Sequence, residues 1–215
     1  MKRTIAVVSA GLGNPSSSRL LAGRLAAATE RELRELGDEA EVRVVEVRDH
    51  AHDLVNGLIR GYPATALQTA LDVVTGAGGL IAVTPTFAGS YSGLFKMFFD
   101  VLDTADENAL ADKPVLIGAT GGTARHSLML ENAMRPLFTY LRAVVVPTSV
   151  FAAPEDWGGA AAPDRLAGRA DRAAAQLAGE IRRRDAPARR DPFEVTPFEV
   201  TPFEVTPFGD ILGAG

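Results

Sequence analysis

A chain of 215 residues, 47% apolar, is long enough for one domain with a sizeable core plus an appendage, and its formal net charge of −5 offers no basic stripe for nucleic acid. The absence of cysteine excludes disulfides, thiolate catalysis and zinc–thiolate sites, and three histidines are too few for an ordinary metal site. No apolar run reaches the roughly 20 residues of a membrane span, and the charged start leads straight into patterned sequence without a signal-peptide core, so the expected location is cytoplasmic.

Thr4 to Ser9 ("TIAVVS") is a continuous apolar run, as a central parallel strand buried on both faces requires. Ser18 to Leu36 follows with Leu20, Leu21, Leu25, Ala28, Leu33 and Leu36 near helical spacing, and Gly37 stands where a helix stops. Glu41 to Val47 alternates, as a strand nearer a sheet edge would. Asp49 to Gly61 reads as irregular, and Pro63 to Val74 as a helix closed by Gly76. Gly79 to Thr84 is a second buried strand, Ser92 to Leu102 a helix, and Lys113 to Ala119 a third buried strand. His126 to Leu141 is a helix containing Pro136, which lacks an amide donor and predicts a kink or bulge. Ala143 to Val150 is the last strand and Pro163 to Arg184 the last helix.

Five strands alternating with helices predict an α/β three-layer sandwich with a parallel sheet and right-handed crossovers. The flavodoxin-like order 2-1-3-4-5 is the most economical arrangement, and it places the ligand beyond the carboxyl ends of the strands. Three loops at those ends stand out. The first, "SAGLGNPSSSR", joins a strand to a helix start, where free amides and the helix dipole favour a phosphate. Ser9, Ser16, Ser17 and Ser18 add hydroxyls there, and Arg19 offers a charge. Gly11 and Gly13 fit part of the dinucleotide fingerprint, but Ser16 stands at its third small position, and no lysine makes a Walker loop. One helix cap needs only one serine, so three in a row favour a ligand.

The second loop runs from Thr84 to Asp100. Pro85 and Gly89 shape a turn, and Phe87 and Tyr91 offer flat surfaces beside the backbone amides of Thr86, Ala88 and Ser90, which suits a planar heteroaromatic ring. The same two aromatics would equally well cover the sheet end. Phe95, Met97, Phe98 and Phe99 have the spacing of core or of a subunit interface. The third loop, "GATGGTARHSL", brings Thr120, Gly121 and Gly122 close to a ligand, since glycine has no side chain to obstruct it. His126 sits at a helix start, where a surface or capping histidine is the ordinary reading and help in holding a flavin edge or a nucleotide phosphate is the other. A phosphate at one loop and a flat, polar-edged ring between the other two together describe flavin mononucleotide.

These motifs resemble the NAD(P)H-dependent FMN reductase family, over roughly residues 3 to 185, and within it the branch that supplies reduced flavin to two-component monooxygenases such as alkanesulfonate-utilising systems. The resemblance rests on Pro15 to Ser18, on Thr84 to Gly93 with Lys96 and Asp100, on Ala119 to Leu128, and on Arg135-Pro136. It departs at Gly13, where the family often carries arginine, and at Thr86 and Ala88, where many relatives carry Glu and Asn. The family implies FMN, NADPH or NADH, a flavin-dependent monooxygenase as partner, and a homodimer or homotetramer. The implied chemistry is hydride transfer carried by the cofactor, with no acid–base residue required. The rival readings are an FMN-bound quinone or azo reductase and a non-enzymatic flavodoxin-like electron carrier. Arg125 is a candidate for a nicotinamide 2′-phosphate.

The domain is expected over residues 1–185, and after Arg190 the composition changes. Residues 186–215 carry three copies of Pro-Phe-Glu-Val-Thr and the start of a fourth. Proline every five residues predicts an extended tail, incompatible with a helix or a central strand. A disordered appendage left by repeat expansion is the ordinary reading of such composition, while its four phenylalanines, unusual in a flexible segment, suggest that part of the tail docks on a neighbouring subunit or a monooxygenase partner.

Overall fold

The computed structural model describes residues 1–157 and 165–184. The expectation for the repeat tail lies outside the described residues. The sheet is built on β1 (Lys2–Ser9), β2 (Glu39–Glu46), β3 (Gly79–Phe87) and β5 (Pro114–Thr120), with the short strands β4 (Ser90–Tyr91), β6 (Val144–Val145) and β7 (Val150–Ala152). The strand order is β2-β1-β3-β5-β6, with β7 also beside β5 and β4 beside β3. All pairs are parallel except β3 with β4. The five parallel positions and their expected order are therefore present. The sheet counts seven strands because the expected fifth strand is two pieces, both pairing β5, and because a hairpin arm extends β3.

Alternation of side chains across the strands divides the interior into two layers. Ala6, Val8, Leu80, Ala82, Val115 and Ile117 face one core together with Phe95, Phe98, Phe99 and Phe138. Ile5, Val7, Ile81, Val83 and Leu116 face the other, covered by α1 (Ser17–Glu35) and α6 (Arg165–Arg183). Both faces of the central strands are thus apolar, which is why β1, β3 and β5 read as unbroken apolar runs. β2 lies at the edge and keeps several exposed positions, in agreement with its alternation.

Helices α2 (Ala51–Arg60), α3 (Thr65–Thr75), α4 (Gly93–Ala105) and α5 (Arg135–Tyr140) complete the fold. The segment expected to be irregular, Asp49 to Gly61, holds the end of a 3-10 turn (Val47–His50) and all of α2. Only Leu54 and Gly57 of α2 are buried, so the helix leaves too narrow an apolar stripe to read from sequence. The expected continuous helix from His126 to Leu141 is instead a 3-10 turn (Ala124–His126), a π-helical turn (Leu130–Met134) and α5. The π turn is the bulge that Pro136 predicted. It lets α5 restart with Pro136 in its first turn, where a missing amide costs no hydrogen bond.

At the amino-terminal end of the sheet, Lys113 is 6% exposed and its Nζ donates to the carbonyls of Thr75 and Ala77, closing the end of α3. Burial, aided by the nearby Arg184 charge, pulls this ammonium down to about 8. The folded state therefore bears the cost of a charged lysine below about pH 8, a cost that fades as pH rises toward the ordinary lysine range. Between about pH 7.5 and about pH 9.5 the wild-type unfolding free energy should rise by about 2 kcal/mol relative to Lys113→Met. Urea titrations at the two pH values measure it, and parallel pH dependence in the two proteins would refute the assignment.

Candidate functional site

The carboxyl ends of β1, β3, β5 and β7 meet at a cleft of about 680 Å³, lined by Ser17, Leu20, Pro85, Thr86, Phe87, Thr120, Gly121, Gly122, Ala152, Pro154 and Trp157. Pockets of this size hold cofactor-sized ligands. The sequence reading expected three loops there, and residues from all three line it.

The serines of the first loop divide their work. Ser16 is the N-cap of α1, and its Oγ accepts from the Arg19 amide at 3.2 Å. Ser18 is buried and shares a 2.8 Å hydrogen bond with Thr120 Oγ1, which ties the first loop to the third across 102 residues of chain. Ser17 is exposed and lines the cleft. The amides of Ser17 and Ser18 open the first turn of α1, where no carbonyl lies one turn earlier to receive them. Ser9 is fully buried, and its Oγ has no hydrogen-bond partner. Gly11 does more than turn the chain: a Cβ there would stand 1.8 Å from Ser16 Oγ. Arg19 turns toward β2, its Nε 2.6 Å from Glu46 Oε1, so a carboxylate already meets the charge expected to serve a ligand.

The second loop is a hairpin. Ala88 and Gly89 form its two-residue turn with φ of 48° and 79°, between the paired Phe87 and Ser90. Positive φ at both central positions is the geometry of a type I′ turn, whose twist matches its strands. Its tip, Ala88 to Ser90, does not line the cleft. The two aromatics part company. Phe87 is 47% exposed and forms a wall of the cleft. Tyr91 packs against Phe95, ring centroids 5.8 Å apart, and joins the core. Pro85 and Thr86 line the cleft, and Thr86 Oγ1 is buried without a partner.

In the third loop Gly121 is required by close approach. A Cβ there would lie 2.8 Å from Phe151 Cζ and 3.4 Å from Thr86 Oγ1. The Gly121 amide donates to the Ala152 carbonyl at 3.2 Å, and Gly122 remains open. His126 ends the 3-10 turn, exposed and outside the cleft lining.

Sequence reasoning missed Leu20, Ala152, Pro154 and Trp157. Leu20 lies in the first turn of α1 and is 56% exposed despite its apolar side chain. The other three come from the end of β7 and the segment after it, a strand end given no role. Its signal was the chain's single tryptophan, whose ring lies 5.0 Å below the Arg24 guanidinium.

Residues 3–158 match the family model described as NADPH-dependent FMN reductase. The chain is 38% identical over 155 residues to "FMN reductase (NADPH)" of Pseudomonas aeruginosa, covering 71% of this chain and 78% of that protein. It is 36% identical over 150 residues to the NADH-dependent FMN reductase SfnE of Pseudomonas putida, covering 69% and 75%. Among solved structures, an oxidoreductase from Corynebacterium diphtheriae superposes with a TM-score of 0.79 at 43% identity, covering 85% of this chain and 98% of that one. The apo form of an NADH:FMN oxidoreductase superposes with a TM-score of 0.67 at 27% identity, covering 82% and 88%. By its fold and by a match spanning most of its length, the chain belongs to the NADPH-dependent FMN reductase family.

Proposed function

We propose that residues 1–185 form a reductase that takes a hydride from NADPH or NADH onto FMN at this cleft and releases reduced FMN to a flavin-dependent monooxygenase. The observation that carries the reading is the meeting, in one cleft, of a helix start, an exposed aromatic wall and the backbone of two adjacent glycines, Gly122 of them open. The residues fit the group. Ser17 and the first amides of α1 would hold the phosphate. Phe87 would flank the ring, and the unpartnered Thr86 hydroxyl and the Gly121–Gly122 backbone would meet its polar edge. Bound flavin supplies the hydride-accepting chemistry. The chain's own contribution is orientation, partial exclusion of water by Phe87 and Trp157, and backbone dipoles along the ring edge.

The two nicotinamides in the relatives' names leave the donor open to measurement. Among the described residues no helix is long and apolar enough to cross a membrane. Self-assembly is part of the proposal, and its candidate surface is α2. There Val55, Leu58 and Ile59 lie on one exposed side, Ile59 at 79%.

The test is steady-state oxidation of NADPH and NADH by the purified chain with varied FMN, together with its visible spectrum and light-scattering mass. Saturable dependence on added FMN is the expected result. A tightly held flavin with turnover only on quinones would replace this reading, and the absence of flavin binding would end it.

A further inference from the structure

The first loop poses a charge problem. From Ala10 to Ser18 it contains no ionisable side chain. Arg19, the first cation after it, is held by Glu46 at 2.6 Å. A phosphate monoester carries nearly two negative charges at neutral pH, and a helix start offers only about half a positive charge.

A cation reaches the loop from elsewhere in the chain. Ser9 and Glu46 are register partners at the adjoining ends of β1 and β2. Two residues beyond Glu46, in the 3-10 turn after β2, Arg48 extends back over the first loop, and its Nη1 donates to the Gly13 carbonyl at 2.9 Å. Among the described residues, the only carboxylate paired with it is the exposed Asp49, with Oδ1 3.7 Å from Arg48 Nε. A guanidinium has five N–H donors in a rigid fork. The bond to Gly13 uses one and fixes the plane, which leaves Nη2 and the rest of Nη1 available to an anion on the loop. Ser9, at the root of the same loop, is fully buried with an unpartnered hydroxyl.

We propose that Arg48 is the phosphate-recognising cation of the first loop and the residue that makes the site prefer FMN over its unphosphorylated counterpart, riboflavin. The proposal rests on the FMN reading of the cleft. Arg48 is a specificity residue: it acts at the terminal phosphate, far from the reacting ring. Arginine suits the task because its planar fork pairs phosphate oxygens two at a time, and charge-assisted bonds of this type are stronger than neutral ones. A bond to a backbone carbonyl also preorganises the side chain before the ligand arrives.

The experiment is fluorescence titration of the wild type, Arg48→Ala and Arg48→Lys with FMN and, separately, with riboflavin, at low and high salt. The wild type should bind FMN more tightly than riboflavin. Arg48→Ala should lose about tenfold or more of its FMN affinity, keep its riboflavin affinity, and show a weaker salt dependence for FMN. Arg48→Lys should recover part of the loss, since it restores charge without the fork. Retained riboflavin binding reports that each variant is folded. An equal loss for both ligands would mean that Arg48 only braces the loop, and an unchanged FMN preference would mean that another group reads the phosphate. Either result overturns the proposal. A wild type that binds riboflavin as tightly as FMN would instead overturn the phosphate reading of the loop itself, and failure to bind either flavin would overturn the flavin site.

Discussion

Replacing Gly11 with alanine will weaken FMN binding by roughly tenfold or more, because the loop and the α1 cap cannot both survive the added methyl. The new Cβ would lie 1.8 Å from Ser16 Oγ, 3.0 Å from Ser16 Cβ and 3.3 Å from Ser18 Cβ. Rotating the Ser16 hydroxyl away relieves only the first contact. It also breaks the bond to the Arg19 amide, at a cost of about 1 kcal/mol for a lost cap. The remaining contacts push against Cβ atoms fixed to the backbone of the helix start, so the loop must shift. That moves the amides of Ser17 and Ser18 that face the expected phosphate. Ser16→Ala separates the two causes, since it removes the cap and leaves the loop room. It should cost stability but much less affinity. KM for FMN and equilibrium fluorescence titration read the outcome. Unchanged FMN affinity in Gly11→Ala would show that the first loop does not hold the ligand.

Phe99→Ala will produce the largest loss of stability, about 3–5 kcal/mol, with a fall in melting temperature of roughly 10 °C. Phe99 is fully buried. Its ring centroid lies 4.9 Å from that of Phe95, 5.3 Å from Phe98 and 4.9 Å from Phe138. The contacts with Phe98 and Phe138 are edge-on, at 82° and 78°, so removing the ring forfeits area burial and quadrupole-matched contacts together. The surrounding rings are themselves rigid and cannot collapse into the void, which places the cost at the high end for a large-to-small change. Urea unfolding measures it. The same variant answers the alternative left open by the sequence, in which these aromatics form a subunit interface. Core loss should leave oligomeric mass unchanged at temperatures where the variant is folded, whereas a drop in mass with little loss of stability would restore the interface.

The chain's periodicities were enough to place β1, β3 and β5 as central strands and α1, α3, α4 and α6 as their covering helices. Burial on both faces forces unbroken apolar runs, and one-sided burial forces helical spacing. The three cleft loops were legible for a related reason. Gly121, Phe87 and the serine run break the patterns around them, and parallel α/β sheets put their ligands at strand ends. α2 was not legible because its contact with the core is narrow. The division of the last strand into β6 and β7 was not legible either, since short pairing leaves too little pattern.

What only the tertiary structure decided is which side chain meets which. Sequence adjacency offered Ser16, Ser17, Ser18 and Arg19 as one phosphate-binding group. Packing assigned Ser16 to the helix cap, Ser18 to Thr120, and Arg19 to Glu46. It also brought Arg48 to Gly13 across 35 residues, and Trp157 into the cleft from the strand end that had seemed idle. The type and order of the main elements follow from local burial patterns that the sequence carries. Hydrogen-bond and ion-pair partners depend on distances between strand ends, and the sheet sets those distances only once its strands have paired.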